Sequence, residues 1–301
     1  EPFSMHDRGD SVFDLDRSLL RRAFERAALG YDQAAVVQRE VGARLLERLD
    51  LIKLKPTMVV DIGCATGAIT AMLLKKYRQA QVVCLELSPG MVAAARKRAP
   101  WLRPLRGVVG EPETLPLANA SCDLIFSNLA LPWCLDLERV FAEFRRVLKP
   151  GGALLFSTVG PDTLIELRCG WQVADPHNHV NAFFDMHDIG DALVRARLAE
   201  PVLDTERLTL TYPAVDRLMR DLKALGASNV TAGRARGLTG KGRLQALRDA
   251  YERFRRADGL LPVTCEVVYG HAWGPLQDPS RPRGGDGTAV FPLARLHRFQ
   301  P

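Results

Sequence analysis

The sequence has no apolar run that approaches the roughly 18 residues of a membrane span. Its six cysteines show no C-x-x-C spacing, which zinc and iron–sulfur sites commonly use. His177 and His179 flank an asparagine without a Cys or an acid at ligand spacing, so we expect loop residues there. The polar segment EPFSMHDRGD does not resemble a signal peptide. These absences predict a cytoplasmic protein with reduced cysteines, no metal and no membrane contact.

The dinucleotide fingerprint G-x-G-x-x-G is also missing, although a related glycine loop is present. The segment VVDIGCATG (59–67) closes a β-branched run and leads into the amphipathic segment AITAMLLKKY. A strand, a tight glycine turn and a helix open a doubly wound α/β fold. Asp61 within the turn would repel a pyrophosphate but would attract a cationic ligand.

This loop resembles motif I of class I methyltransferases, D-x-G-x-G-x-G, which bind the sulfonium compound S-adenosylmethionine. Gly63 and Gly67 match two of its glycines, and Ala65 replaces the middle one. Glu86 ends a second apolar run, where an acid can accept hydrogen bonds from both ribose hydroxyls. Taken alone, the loop fits an ordinary βα turn of another α/β protein equally well, and the later segments decide between the two.

Two later segments extend the predicted cofactor site. Gly110 and Glu111 follow the third predicted strand, and an acid at this place often meets the adenine amine in this superfamily. FSNLALPW (126–133) leaves the fourth strand at the carboxyl edge of the sheet, where open α/β sheets bind ligands. The full set of predicted cofactor residues is Asp61, Gly63, Cys64, Gly67, Glu86, Leu87, Gly110, Glu111, Asn128 and Leu129.

Alternating predicted strands and helices indicate a doubly wound α/β sheet, and the resemblance to motif I implies the seven-stranded, Rossmann-like form of the class I methyltransferases. Strands are expected at 57–62, 81–86, 105–109, 122–128, 152–158, 202–213 and 262–273. Helices are expected at 17–54, 68–78, 89–99, 134–148 and 187–198, and within 213–258. The expected organisation is a flexible N-terminus (1–16), a helical cap (17–56), a core (57–212 and 262–273), a helical lid inserted before the last strand (213–261) and a disordered tail (274–301).

The positive charge of the chain is concentrated in the predicted lid. The whole sequence has a formal net charge of +6, and residues 213–258 contain eleven Lys or Arg against five Asp or Glu. This surplus favours an acidic partner, although a solvated helical face is the more common meaning of a charge run.

Three segments together resemble the malonyl-acyl-carrier-protein O-methyltransferases of biotin synthesis. They are RRAFERAALGYDQAAVVQRE (21–40), DLIFSNLALPWCLDLERVFAEFRRVLKPGGALLFST (123–158) and GPDTLIELRCGWQ (160–172). The likeness covers about residues 18–273. It implies methyl transfer from S-adenosylmethionine to the free carboxylate of malonyl-acyl-carrier protein, an early step in making the pimeloyl part of biotin.

The resemblance also implies which residues meet the substrate. Tyr31 matches an N-terminal tyrosine of the family and is expected to close over cofactor or substrate, although a packing aromatic is the plainer alternative. Arg168 is expected to hold the carboxylate, with a helix-surface arginine as its alternative. Further predicted contacts to the substrate or to an acidic carrier protein are Gln38, Trp133, Arg217, Arg220 and Lys223.

Two other interpretations stay open at this stage. Assembly factors of mitochondrial complex I with the same cofactor fold, implicated in arginine hydroxylation, have segments similar to TLIELR, DLKALGASNV and YERFRRADGLLPVTCEVVYGHAW. The segment RRAFERAALGYD favours the biotin-pathway family instead. A nucleic-acid methyltransferase fits the basic composition, but the chain lacks the N/D-P-P-Y/F tetrapeptide and aromatics interleaved with the basic residues. We therefore predict no nucleic-acid partner.

Overall fold

The computed structural model describes residues 15–231, 233–234, 237 and 239–276. The strands are β1 (Met58–Ile62), β2 (Gln81–Glu86), β3 (Arg106–Val109), β4 (Cys122–Asn128), β5 (Leu148–Val159), β6 (Ala199–Tyr212) and β7 (Leu261–Trp273). The helices are α1 (Arg17–Ala27), α2 (Tyr31–Ala34), α3 (Val36–Arg48), α4 (Ala68–Lys76), α5 (Pro89–Arg98), α6 (Leu137–Val147), α7 (Ile165–Ala174), α8 (Met186–Arg195), α9 (Val215–Ala224) and α10 (Lys241–Glu252). Most of the predicted flexible N-terminus (1–14) and disordered tail (277–301) lies outside the described residues.

The seven strands form one mixed sheet in the order β3-β2-β1-β4-β5-β7-β6. All neighbouring pairs from β3 to β5 are parallel, and β7 is antiparallel to both β5 and β6. The winding reverses between β1 and β4, so a crevice opens beyond the carboxyl ends of these central strands. The predicted fold class is confirmed, including the antiparallel pair at the end of the chain.

Helices cover both faces of the sheet because its central strands are apolar on both sides. Val60 and Ile62 of β1 enter a core with helix α6, whereas Val59 enters the opposite core with helices α3 and α4. Helix α6 buries apolar residues at helical spacing, and the carboxylate of Asp136 caps its first turn by accepting from Arg139 N. Each fully buried Phe or Leu contributes roughly 1.5–3 kcal/mol. This packing fixes the strand ends that carry the site.

The N-terminal cap is broken into three helices, whereas the periodicity predicted one helical stretch over 17–54. Helix α1 ends at Ala27, and Gly30, a poor helix former, lies between α1 and α2. A second interruption at Ala35, with ψ of 45°, separates α2 from α3. The breaks turn the chain across the crevice, so that Tyr31 begins a helix there.

Strand β5 begins earlier than predicted, at Leu148 instead of residue 152. Helix α6 ends directly before it, and the pairing with β4 shifts register between Cys122 and Leu124. Gly151 adopts a φ of 73° inside this irregularity, a conformation that glycine takes without strain. The segment LKPGG therefore forms the bulged start of the strand and not a separate turn.

Helices α9 and α10 lie between β6 and β7 in the chain, within the range 213–261. Helix α10 packs on α7, where Leu247 and Tyr251 are fully buried against Leu167 and Trp171. The Tyr251 hydroxyl donates to Pro262 O at 3.0 Å, which ties the insertion to β7. Within the described ranges, no helix is long and apolar enough to span a bilayer.

Candidate active site

The glycine loop after β1 contains three residues with positive φ, a conformation that glycine adopts without strain. Gly63 and Gly67 have φ values of 73° and 81°, and Ala65 has 47°. A Cβ on Gly63 would lie 2.3 Å from Ala130 Cβ, and a Cβ on Gly67 would lie 2.6 Å from Ala95 Cβ. The two glycines thus allow the loop to approach neighbouring protein segments as well as a ligand.

A cleft of about 840 Å³ opens beside this loop, and we call it the cofactor cleft. Seven of the ten predicted cofactor residues line it, namely Gly63, Glu86, Leu87, Gly110, Glu111, Asn128 and Leu129. Asp61 and Cys64 line a smaller adjoining pocket together with Tyr31 and Gln38. Gly67 lines neither of the two and packs against α5 instead.

Two buried carboxylates dominate the electrostatics of this region. Asp61 is 1% exposed and Glu86 is 6% exposed, and neither forms an ion pair with a Lys or Arg in the described part of the chain. Burial raises the pKa of Asp61 to about 7, with the Glu86 charge adding to the rise and a hydrogen bond from Thr70 opposing it. Burial also raises the pKa of Glu86. Two acids held this way favour a positively charged ligand.

Glu86 holds the loop while it faces the cleft. Its Oε2 accepts from Ala65 N at 3.0 Å, and its Oε1 accepts from Leu87 N at 2.7 Å. Oε1 accepts a second, longer bond from Ser88 N at 3.4 Å, whereas Oε2 keeps a lone pair that can accept from a ligand hydroxyl. The acid thus connects the glycine loop to the end of β2.

Arg17 lines the cofactor cleft from helix α1, although it is not among the residues predicted from the sequence. Its guanidinium pairs with Glu111, and its Nη2 lies 2.8 Å from Glu113 Oε1. Glu113 is 4% exposed and accepts in addition from Leu135 N. The pairing joins residues about ninety positions apart, a separation that no local pattern reveals.

Tyr31 and Gln38 come from the broken cap and line the cofactor cleft. Burial, with the nearby Glu86 and Asp32 charges, raises the pKa of the Tyr31 phenol, so the phenol stays neutral. The backbone carbonyl of Gln38 accepts from Asn128 Nδ2 at 2.8 Å, which fixes the helix against the end of β4. The side-chain Oε1 of Gln38 is buried and has no hydrogen-bond partner among the described residues.

Arg168 lies on helix α7 and is absent from the walls of the cofactor cleft. Its Nη1 donates to Pro161 O at 2.9 Å, and burial lowers its pKa. The structure therefore does not bring Arg168 to the residues with which the sequence grouped it. This contact closes the turn between β5 and α7.

A second cavity of about 1020 Å³, the apolar cleft, adjoins the first. Helices α7 and α9, strands β6 and β7 and the loops between elements supply its wall, including Leu167, Leu210, Leu218, Leu222 and Val263. The two clefts share the wall residues Gln38, Leu129, Trp133, Leu225 and Ala227. The predicted substrate contacts Gln38 and Trp133 thus lie at the junction of both clefts.

His179 lines the apolar cleft and belongs to a small polar cluster. Its ring stacks on Trp171 at 3.8 Å between centroids, and its Nε2 lies 3.6 Å from Asp175 Oδ1. Asp175 also pairs with His177 and with Arg243. Burial lowers the pKa of His179. Across the described ranges, no group of three His, Cys, Asp or Glu side chains could hold a metal ion.

The predicted basic contacts lie along the outer face of α9. Arg217, Arg220 and Lys223 are exposed, at a spacing of three that puts them on one side of the helix. Arg217 Nε lies 3.5 Å from Asp221 Oδ1, and Arg220 Nε donates to Asp216 O at 3.4 Å. The opposite side of the same helix lines the apolar cleft.

Known proteins support both the fold and the family. A family model described as a methyltransferase domain matches residues 60–156. The malonyl-[acyl-carrier protein] O-methyltransferase of Methylovorus sp. (strain MP688) is 51% identical over 286 residues, covering 93% of this chain and 96% of the relative. The protein of the same name from Gallionella capsiferriformans (strain ES-2) is 50% identical over 285 residues, covering 93% and 97%.

A solved structure of a putative methyltransferase from Bacillus halodurans C-125 has a TM-score of 0.56 at 17% identity, covering 77% of this chain and 99% of that one. This likeness concerns the fold alone. The two relatives do not favour the complex I assembly-factor alternative. The chain belongs to the malonyl-[acyl-carrier protein] O-methyltransferase family, within the class I methyltransferases.

Proposed function

We propose that this protein transfers a methyl group from S-adenosylmethionine to the free carboxylate of a malonyl group on acyl-carrier protein, which gives a methyl ester. The family assignment supports the acceptor. The observation that carries the donor is the pair of buried acids, Asp61 and Glu86, without a Lys or Arg partner in the described chain. A cationic nucleoside satisfies both acids, whereas a dinucleotide pyrophosphate would add negative charge.

The residues of the cofactor cleft fit this donor, which supplies an electrophilic methyl group when bound. Glu86 would accept the ribose hydroxyls, and Asp61 would stabilise the positive charge of the amino-acid end. Glu111, held in place by Arg17, would meet the adenine amine. Cys64, Leu87, Gly110, Asn128 and Leu129 would complete the wall.

The protein's contribution to the reaction is alignment and not proton transfer. A carboxylic acid titrates near about pH 4, so the acceptor is already ionised at neutral pH and needs no general base. Holding two reacting groups in the productive geometry can lower a barrier by roughly 7–11 kcal/mol. The apolar side chains of Leu129 and Trp133 at the junction would limit the access of water to the reacting atoms.

Two neutral donors, Tyr31 in the cofactor cleft and Gln38 at the junction, would hold the acceptor carboxylate. The Tyr31 phenol remains protonated, and its hydroxyl can therefore donate to an anion. The amide nitrogen of Gln38 can donate beside it, because no described residue accepts from it. Arg168 was the sequence candidate for this task, and its bond to Pro161 favours Tyr31 and Gln38 in its place.

The carrier protein would dock on the basic face of α9. Acyl-carrier proteins are acidic helical bundles, and Arg217, Arg220 and Lys223 present exposed positive charge. Because the same helix forms a wall of the apolar cleft, a partner bound there would stand beside the cavity that adjoins the reaction site. Exposed charges of this kind speed association and lose strength as salt is added.

A comparison of three acyl-carrier-protein substrates tests the proposed function. Malonyl-, succinyl- and acetyl-acyl-carrier protein are incubated separately with the enzyme and the methyl donor, and the products are resolved by intact mass spectrometry. We expect one added methyl group on the malonyl form and none on the acetyl form, which lacks a free carboxylate. Equal transfer to the acetyl form, or transfer to none of the three, would contradict the proposal.

A further inference from the structure

The apolar cleft has the lining of a ligand site, and no role is yet assigned to it. It is concave, mostly apolar and set with a few polar groups, as small-molecule sites usually are. Aliphatic and aromatic side chains make up most of its wall, and Leu218 and Leu222 of α9 close one side. Such a lining favours a ligand with an extended apolar portion.

Asn181 is the unusual polar residue of this cleft. Its side chain lines the wall, and the residue is only 6% exposed. Its Oδ1 is buried, and the amide makes no hydrogen bond with any residue that the structure describes. Because a buried amide without a partner is costly, a missing partner for Asn181 is expected to come from a ligand.

Asn229 provides the comparison within the same wall. Its Nδ2 donates to Asn178 O, and its Oδ1 accepts from Thr231 N at 2.9 Å. Both ends of this amide are hydrogen-bonded to the backbone, so it stabilises the local structure. Asn181 has no such bonds, and at the junction of the two clefts Gln38 likewise has an unpaired buried Oε1.

The two unpaired amides lie along one continuous path. Gln38 lines both clefts, and Asn181 lines the apolar cleft. A ligand that fills this path and satisfies both amides must be mostly apolar and must carry groups that both donate and accept hydrogen bonds. The amide-bearing pantetheine arm of an acyl thioester has these properties, and a plain hydrocarbon chain does not.

We propose that the apolar cleft binds the pantetheine arm of the acyl-thioester substrate, with the Asn181 side chain pairing with an amide of the arm. The malonyl end then reaches the cofactor cleft past Gln38, Leu129 and Trp133. This inference rests on the proposed function, since it assumes a malonyl thioester as the acceptor. It gives the lid helix α9 a second task, because its inner face encloses the arm while its outer face meets the carrier.

The test varies the arm and the residue together. Wild type and Asn181→Leu are assayed with malonyl-pantetheine and with the malonyl thioester of ethanethiol, which has no amide. For the variant, kcat/KM on malonyl-pantetheine should fall about tenfold through KM, because one uncharged hydrogen bond is lost. On the ethanethiol ester, variant and wild type should agree within about twofold, since no arm amide is present. Gln172→Leu, an exposed amide on α7, is the matched control and should change neither value.

The outcomes separate this inference from the proposed function. Equal losses on both esters, or no loss on malonyl-pantetheine, would overturn the role of Asn181, and increased activity on both would assign the cleft to a hydrocarbon chain. If wild type methylates neither these esters nor malonyl-acyl-carrier protein, the proposed function fails instead. Should Asn181→Leu not fold, wild type still decides: free pantetheine must compete with malonyl-pantetheine, and a lack of competition would overturn the proposal.

Discussion

Asp61 should make the affinity for S-adenosylmethionine depend on pH between about 6 and 8. Burial raises the pKa of this carboxyl to about 7 in the ligand-free protein, and a cationic ligand binds its ionised form. Roughly one tenth of the groups are ionised at pH 6 and roughly nine tenths at pH 8. Affinity should therefore rise roughly tenfold over this interval, or about 1.4 kcal/mol, with release of a proton from Asp61 on binding near pH 6.

Isothermal titration calorimetry of wild type and Asp61→Asn tests this reasoning. Asparagine keeps the shape, and its carbonyl oxygen can accept the hydrogen bond from Thr70. Titration of the ligand's own amine affects both proteins alike, and Glu86 is present in both. The difference between the two pH profiles thus reports Asp61. Parallel profiles, or equal proton release measured in buffers of different ionisation enthalpy, would refute the assignment.

As the pH rises, the raised pKa of Asp61 lowers the free energy of unfolding, whereas the affinity for the ligand increases. The pKa of Asp61 is raised from 3.8 to about 7, so stability due to its neutral form is full below about pH 4 and is lost as the pH rises toward 7. Without ligand, wild type should lose stability relative to Asp61→Asn over that window in urea unfolding. A constant difference between the two proteins would contradict the shift.

Gly63→Ala should destabilise the fold by about 2–5 kcal/mol in urea unfolding, because it combines a left-handed φ with a contact of 2.3 Å to Ala130. Gly242→Ala, where nothing lies within 4 Å, should instead change stability by less than about 1 kcal/mol, and equal effects would contradict this role of the loop. Tyr31→Phe should lower kcat/KM roughly tenfold with cofactor affinity kept in calorimetry, and unchanged turnover would remove its hydroxyl from the site. Reversing Lys223 to Glu should slow transfer to carrier-bound malonate at low salt but not to malonyl-pantetheine; equal effects on both would exclude docking at α9.

The sheet could be predicted because each of its strands is marked in the sequence by a short apolar run and by the turn residues that follow it. The run that ends at Asp61 is apolar on both faces, as a central parallel strand must be, and the glycines after it mark the turn. The cofactor residues follow from the same logic, since they lie at the carboxyl ends of strands or shortly after them. Periodicity could not reveal the breaks at Gly30 and Ala35, because apolar spacing continues through them.

The substrate side depended on contacts that sequence spacing does not encode. Arg168 follows a strand end as the cofactor residues do, yet its side chain bonds to Pro161 and not to the cleft. Arg17 pairs with Glu111 although the two residues are 94 positions apart, and no local sequence pattern indicates such a contact. Asn181 could not be predicted from the sequence, because what distinguishes it is a buried Oδ1 without a hydrogen-bond partner among the described residues.

The position of the methyl group on the product distinguishes methylation of the malonyl carboxylate from methylation of the carrier polypeptide. Malonyl-acyl-carrier protein is incubated with the enzyme and the methyl donor, and tandem mass spectrometry then ejects and fragments the pantetheine arm. We expect one added methyl group, on the terminal carboxylate of the malonyl unit. An unmodified arm, or a methyl group on the carrier polypeptide, would contradict it.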